Sequence, residues 1–94
     1  MQVSFLIPVY NPDPAVLTLC VNSALKAAAD HHQVVIVDDA SDNAQTLEFL
    51  DRCKSAGLAN LKLLRASANA GVSHALNLAA AEASGDLLAP VDHD

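Results

Sequence analysis

Tryptophan is absent from this 94-residue chain, and Phe5, Tyr10 and Phe49 are its only aromatic residues. A platform for single-stranded nucleic acid needs a run of aromatic faces, so that class is disfavoured. Basic charge is equally scarce. Five Lys and Arg stand against eleven Asp and Glu, giving a formal charge of −6. No Lys/Arg stripe exists to follow a phosphate backbone, and no nucleic-acid partner is expected. The two cysteines, Cys20 and Cys53, form neither a metal-ligand spacing nor a Cys-x-x-Cys motif. Both fall in helical periodicity, where a cysteine serves as a small core hydrophobe. That usage fits a reducing, cytoplasmic setting. No apolar run approaches the roughly 20 residues that cross a bilayer. Met1 leads straight into an apolar strand without a basic segment or cleavage site, so no signal peptide is expected. No Gly-x-Gly-x-x-Gly follows that strand, which disfavours a dinucleotide site.

What the chain does have is apolar residues, 52% of the total, in short punctuated runs. Val3-Ser4-Phe5-Leu6-Ile7-Pro8-Val9 is nearly unbroken, as a parallel strand buried on both faces requires. Asn11-Pro12-Asp13-Pro14 stops it, with Asp13 as helix N-cap and Pro14 at the first helical position. Leu17, Cys20, Val21, Ala24 and Ala28 then recur on one helical face, and Asp30-His31-His32 closes the segment as an exposed helix end. Val34–Val37 is a β-branched second strand. Asp38–Asn43 is turn and cap, with Asp42 and Gln45 spaced as a capping box. A second helix carries Leu47, Leu50 and Cys53 and ends near Gly57. Leu61–Leu64 is a third strand, where Lys62 predicts an edge position. A third helix follows Gly71, bearing Val72, Ala75, Leu76, Ala79 and Ala83, with Gly85 ending it. Leu87–Val91 is the fourth strand, blemished by Pro90. The order β-α-β-α-β-α-β predicts an α/β fold, a Rossmann-like parallel sheet with helices on both faces.

In such sheets ligands sit beyond the carboxyl ends of the strands. Those ends are Pro8-Val9-Tyr10-Asn11, Asp38-Asp39-Ala40-Ser41, Arg65-Ala66-Ser67 and Asp92-His93-Asp94. In an extended segment Asp92 and Asp94 share a face, with His93 turned away. Two ionised carboxylates that close repel by roughly 1–4 kcal/mol between aqueous and near-surface dielectrics. A hard divalent cation relieves the repulsion and prefers such oxygen ligands.

Taken together, these segments resemble the nucleotide-sugar-binding part of a family 2 glycosyltransferase, which has the GT-A fold. The matching stretches are residues 3–11, Val35-Ile36-Val37-Asp38-Asp39-Ala40-Ser41, Asn69-Ala70-Gly71-Val72-Ser73 through Asn77, Gly85-Asp86-Leu87 and Asp92-His93-Asp94. The resemblance spans the chain, in order and at natural spacing. It implies metal-dependent transfer from a nucleoside diphosphate sugar, UDP foremost, to an unknown acceptor, with inversion at the anomeric centre. Pro8, Val9 and Tyr10 would border base and ribose. Asp39 would accept a hydrogen bond from the base, a charge-assisted contact that disfavours bases lacking the donor. Asn69 and Gly71 would let the backbone approach the nucleotide. Asp94 would ligate Mn²⁺ or Mg²⁺, and Asp92 would contact the ribose or the metal. The cation would neutralise charge on the diphosphate leaving group.

The resemblance further implies that residues 1–94 stop just after the DxD pair. The acceptor region and the catalytic base would then lie beyond residue 94, leaving these residues alone inactive. The intact protein would be cytoplasmic, the cytoplasmic face of a membrane included. Leu76 stands before Asn77 where many relatives carry Arg, so a cationic contact is absent or supplied otherwise. Two alternatives stay open. Val35–Asp39 also resembles the acidic-pocket strand of phosphoacceptor receiver domains, although a receiver normally begins with that strand. A binding-only nucleotide module is the other, its fourth strand presenting an edge open to self-association.

Overall fold

Each run of apolar residues becomes one element of a three-layer sandwich. The computed structural model describes residues 1–29 and 31–91. Its elements are β1 (Val3–Val9), α1 (Pro14–Ala28), β2 (Gln33–Asp38), α2 (Ala44–Ala56), β3 (Leu61–Arg65), α3 (Val72–Glu82) and β4 (Leu87–Pro90). The strands form one sheet in the order β3-β2-β1-β4, with every pair parallel. Parallel neighbours cannot be joined by a tight turn, so each return passes through a helix. α1 and α2 cover one face, burying Leu17, Val21, Ala24, Ala28 and Leu50 against Ile7, Val9, Val34 and Ile36. α3 covers the other, where Ala75 and Ala79 meet Leu6, Val35 and Val37. Successive residues from Phe5 to Ile7 therefore enter opposite cores, and this part of β1 must be apolar.

The sheet order decides between two readings of the Asp38-Asp39 strand. Receiver-like folds run 2-1-3-4-5, with their third strand beside the first. Here β3 lies beyond β2, and β4 takes the place next to β1. That is the dinucleotide-fold order as far as it goes, and the receiver alternative falls.

Helix starts follow local chemistry. Asp13 Oδ1 accepts from the Ala15 and Val16 amides at 2.9 and 3.4 Å, and Pro14 opens α1. Asp13→Ala should cost about 1 kcal/mol, the usual worth of an N-cap. It would be read as a lower urea midpoint at unchanged slope. An unmoved midpoint would show that the cap contributes nothing. The Asp42–Gln45 capping box is not formed. α2 begins one residue later, with Asn43 as its N-cap accepting from the Gln45 and Thr46 amides. Asp42 is drawn away because its carboxylate accepts from Asn11 Nδ2 at 2.8 Å.

Two further readings need correction. α3 ends at Glu82, before Gly85, and Gly85 instead packs its backbone on Ser4, donating to Ser4 Oγ at 2.8 Å. Only His31 of the histidine pair is exposed. His32 is half-buried, meets the Phe5 ring edge-on and accepts from the Val3 amide through Nδ1 at 3.0 Å.

The borders of the sheet match expectation. β3 is an edge, and Lys62 there donates to Glu82 of α3 at 2.8 Å. That hydrogen bond and the lysine charge hold the Glu82 carboxyl below its ordinary value. The pair is open to solvent and contributes little to stability. β4 is the other edge, and its pairing partner for Pro90 is Leu6 of β1. Val91, the next residue, donates its amide to the Leu6 carbonyl at 2.8 Å. Alternate amides of a strand point opposite ways, so proline's missing donor falls on the side away from β1.

Candidate functional site

Between β1 and β4 the winding reverses: the chain first builds outward through β2 and β3, then returns to the far side of β1. Crevices at such a switch point are where open α/β sheets bind ligands. A cleft of about 660 Å³ lies there, lined by Pro8–Asp13, Asp39, Val72, Ala75, Leu76, Pro90 and Val91. Its size falls within the range of small-molecule sites. Tyr10 and Val72 are the exposed apolar groups at its mouth.

Asp39 supplies the buried charge on the cleft wall, with 4% of its surface exposed. Its amide donates to the Val9 carbonyl at 2.7 Å, tying the ends of β1 and β2 together. Its carboxylate accepts from the Ala70 and Gly71 amides at 3.1 and 2.9 Å. Ala40, next in sequence, sits at a left-handed φ of 62°. That backbone turn is unfavourable for alanine and sends Asp38 and Asp39 to different partners.

Asp38 is almost wholly buried and holds the loop. Its Oδ1 accepts from the Ser41 amide at 3.0 Å, and its Oδ2 accepts from Arg65 Nη1 at 2.7 Å. Arg65 and Asp38 are register partners at the ends of β3 and β2. The second guanidinium arm donates to the Ser41 carbonyl at 3.0 Å. Asn11, at φ 42°, completes the brace. Its amide donates to Ser41 Oγ, and its Oδ1 accepts from the Asp42 and Asn43 amides. Three strand ends and the start of α2 are thus joined by side chains.

A larger hollow, about 760 Å³, runs under α2 along β3, with leucines the commonest residue in its lining. Its acid–base pair, Asp38 and Arg65, is engaged with itself, and the remaining charges sit on the exposed face of α2. Cys53 also lines it; burial pushes that thiol up, with the Arg52 charge opposing. The Cys53 side chain packs against the core beneath α2. The switch-point cleft is the better candidate.

The profile of Glycosyl transferase family 2 matches residues 4–94. The chain belongs to that family. An uncharacterized protein of Sinorhizobium fredii, y4gI, is 32% identical over 92 residues, which are 98% of this chain and 10% of that protein. Among solved structures, S. aureus TarS residues 1–349 superpose with a TM-score of 0.78 at 31% identity, over all of this chain and 28% of that one. The mannosyltransferase PcManGT of Pyrobaculum calidifontis, solved with GDP-Man and Mn²⁺, gives 0.75 at 24% identity over 92% of this chain and 25% of that one. This glycosyl transferase family 2 chain therefore spans about a quarter or less of the length of these relatives, and its fold is the N-terminal part of a GT-A structure.

Of the residues singled out from the sequence of this family 2 chain, Pro8, Val9, Tyr10 and Asp39 line the cleft directly. Gly71 reaches it through the Asp39 carboxylate. Asn69 is exposed and is not part of the lining. Asp92 and Asp94 lie outside the described residues; Val91, the last described residue before them, lines the cleft. Among the described residues no group of three or more His, Cys, Asp or Glu side chains is arranged to hold a metal ion. Asp38 and Asp39 belong to no such group, and each of their four carboxylate oxygens accepts from a protein donor. Asn11, Arg65 and Leu76 were not assigned from sequence. Arg65 closes β3 as Asp38 closes β2, and the register of the two strands pairs them.

Proposed function

We propose that residues 1–94 are the nucleotide-sugar-binding part of a glycosyltransferase that moves a sugar from a nucleoside diphosphate donor to an acceptor. The observation that carries this reading is a buried, ionisable Asp39 on the wall of a switch-point cleft in a family 2 chain, facing the same space as Tyr10. A donor N–H of a base meeting Asp39 would form a charge-assisted hydrogen bond. Tyr10, about half exposed, offers a ring face to the base or ribose. The apolar floor of Val9, Ala75 and Leu76 excludes water from that contact. TarS has been solved with UDP and PcManGT with GDP-Man, which supports a uridine or guanosine nucleotide as ligand here.

Asp92 and Asp94 are the residues we assign to a divalent cation, Mn²⁺ or Mg²⁺. Such an ion supplies charge neutralisation at a pyrophosphate. Transfer would proceed with inversion, the base being contributed by residues outside this chain, which by itself would not turn over. A cytoplasmic site of action is part of the same proposal.

Calorimetric titration with UDP, GDP and TDP, with and without Mn²⁺, tests the reading. One of the three should bind more tightly with Mn²⁺. Asp39→Ala should weaken that binding by about tenfold or more, the worth of a lost hydrogen bond to a charged group. Asp94→Ala should remove the metal dependence. Failure of all three to bind, or binding indifferent to the metal and to both substitutions, would end the proposal.

A further inference from the structure

The geometry points to a second task for Asp39: it is a positioning residue that anchors the turn leading into α3 and so sets the far wall of the cleft. The inference rests on the nucleotide reading above only for its ligand arm. α3 starts at Val72, and its N-cap is Gly71, which has no side chain to satisfy the first amides. A helix start leaves its first N–H groups without intrahelical partners. Here the two amides leading into the helix, those of Ala70 and Gly71, are taken by the two oxygens of Asp39, 31 and 32 residues earlier in the chain. Gly71 is at φ 97°, and its carbonyl accepts the first helical bond from the Ala75 amide at 3.0 Å. The latch therefore holds the turn that aims α3.

What α3 brings to the cleft is Val72, Ala75 and Leu76, all within one and a half turns of the latch. Asp39 faces these residues while gripping the turn that carries them. A ligand donor arriving at Asp39 meets a carboxylate already held in place by two backbone amides. Those amides fix its orientation before the ligand comes. Conversely, a ligand seated against Asp39 restrains the carboxylate and, through it, the start of α3. Cleft occupancy and order at Ala70–Gly71 are thereby coupled in both directions.

Gly71→Ala probes this coupling from outside the cleft lining. A Cβ at position 71 would meet no protein atom within 4 Å, so it displaces no wall residue directly. At φ 97° it is nevertheless strained, and relaxation of the turn must loosen its grip on Asp39.

Amide hydrogen exchange, resolved by residue, is the test. Without ligand, Asp39→Asn keeps at most one of the two acceptors and turns a donor toward the other amide. Exchange at Ala70 and Gly71 should quicken by about tenfold or more, the scale of a lost charged hydrogen bond. The β1 and β2 amides should keep their protection, which a general loss of stability would not allow. Unchanged exchange at Ala70 and Gly71 overturns the latch whether or not any nucleotide binds. With saturating UDP, the wild-type amides should slow further, and Gly71→Ala should bind UDP several-fold more weakly, on the order of the strain at one residue. Wild-type affinity in Gly71→Ala overturns the coupling. Should wild type bind no UDP at all, the nucleotide reading fails alone and the ligand-free arm still decides the latch.

Discussion

Gly85→Ala should destabilise the fold by about 3 kcal/mol, the upper part of the range for overpacking a site that cannot yield. A Cβ there would come within 2.6 Å of Ser4 Oγ, 2.7 Å of the Ser4 amide nitrogen and 2.9 Å of the Val3 carbonyl carbon. The last two are backbone atoms of β1, held in the sheet on both sides. The chain can respond only by lifting Gly85 away, which breaks its bond to Ser4 and pulls at the start of β4. β4 has four residues and one neighbour, so it has little to hold it. Urea unfolding measures the loss, and exchange at Leu88 and Ala89 should show β4 loosening first. Ser4→Ala removes only the hydroxyl of the three obstacles. In the Gly85→Ala background it should not restore stability. Full rescue would show that the hydroxyl alone was in the way, and an unchanged midpoint for Gly85→Ala would sink the argument outright.

The second large effect concerns Arg65. Arg65→Met keeps the aliphatic stem but strands Asp38, whose surface is 1% exposed, without its cation. Removing one partner of a fully buried pair costs about 3–5 kcal/mol. Arg65 itself keeps half its side chain in water, so about 2 kcal/mol is the discounted expectation here. Arg65→Lys supplies a charge but a single point of contact, and cannot reach Asp38 and the Ser41 carbonyl together as the guanidinium fork does. It should fall between wild type and Met. A double-mutant cycle with Asp38→Asn isolates the pair. Additive effects would show that the two do not stabilise one another.

The contrast between these sites and the rest marks what a linear reading can reach. β1 was legible to the residue, because Val3–Val9 is bounded by its own punctuation and enters two cores at once. Asp13 and Gly57 were legible because caps act within one helical turn. The capping residue of α2 was misjudged by one position: Asp42 and Asn43 have similar capping power, and the choice between them is made by Asn11, over thirty residues away. Asp39 could be placed at a strand end from the sequence, while its ligand role was implied by the family resemblance. Its grip on Ala70 and Gly71 could not be read there, since that depends on where α3 begins after crossing the sheet. Gly85 was read as a stop signal, whereas its meaning lies in the backbone of Ser4. Local chemistry was visible in the sequence. Partnerships between strand ends required the register.

The strand order also sets a timetable. β1 lies inside the sheet, yet one of its two neighbours is β4, which is the most distant from it in sequence among the described strands. Ser4 waits for Gly85, 81 residues further on, and closing so long a loop is entropically the slowest of the pairings here. During synthesis from the N-terminus, β1 and β2 can mate early while the other flank of β1 stays unsatisfied. Pro90 and Val91 reach the crevice only when β4 docks, so the crevice is completed by the longest-range pairing among the described strands.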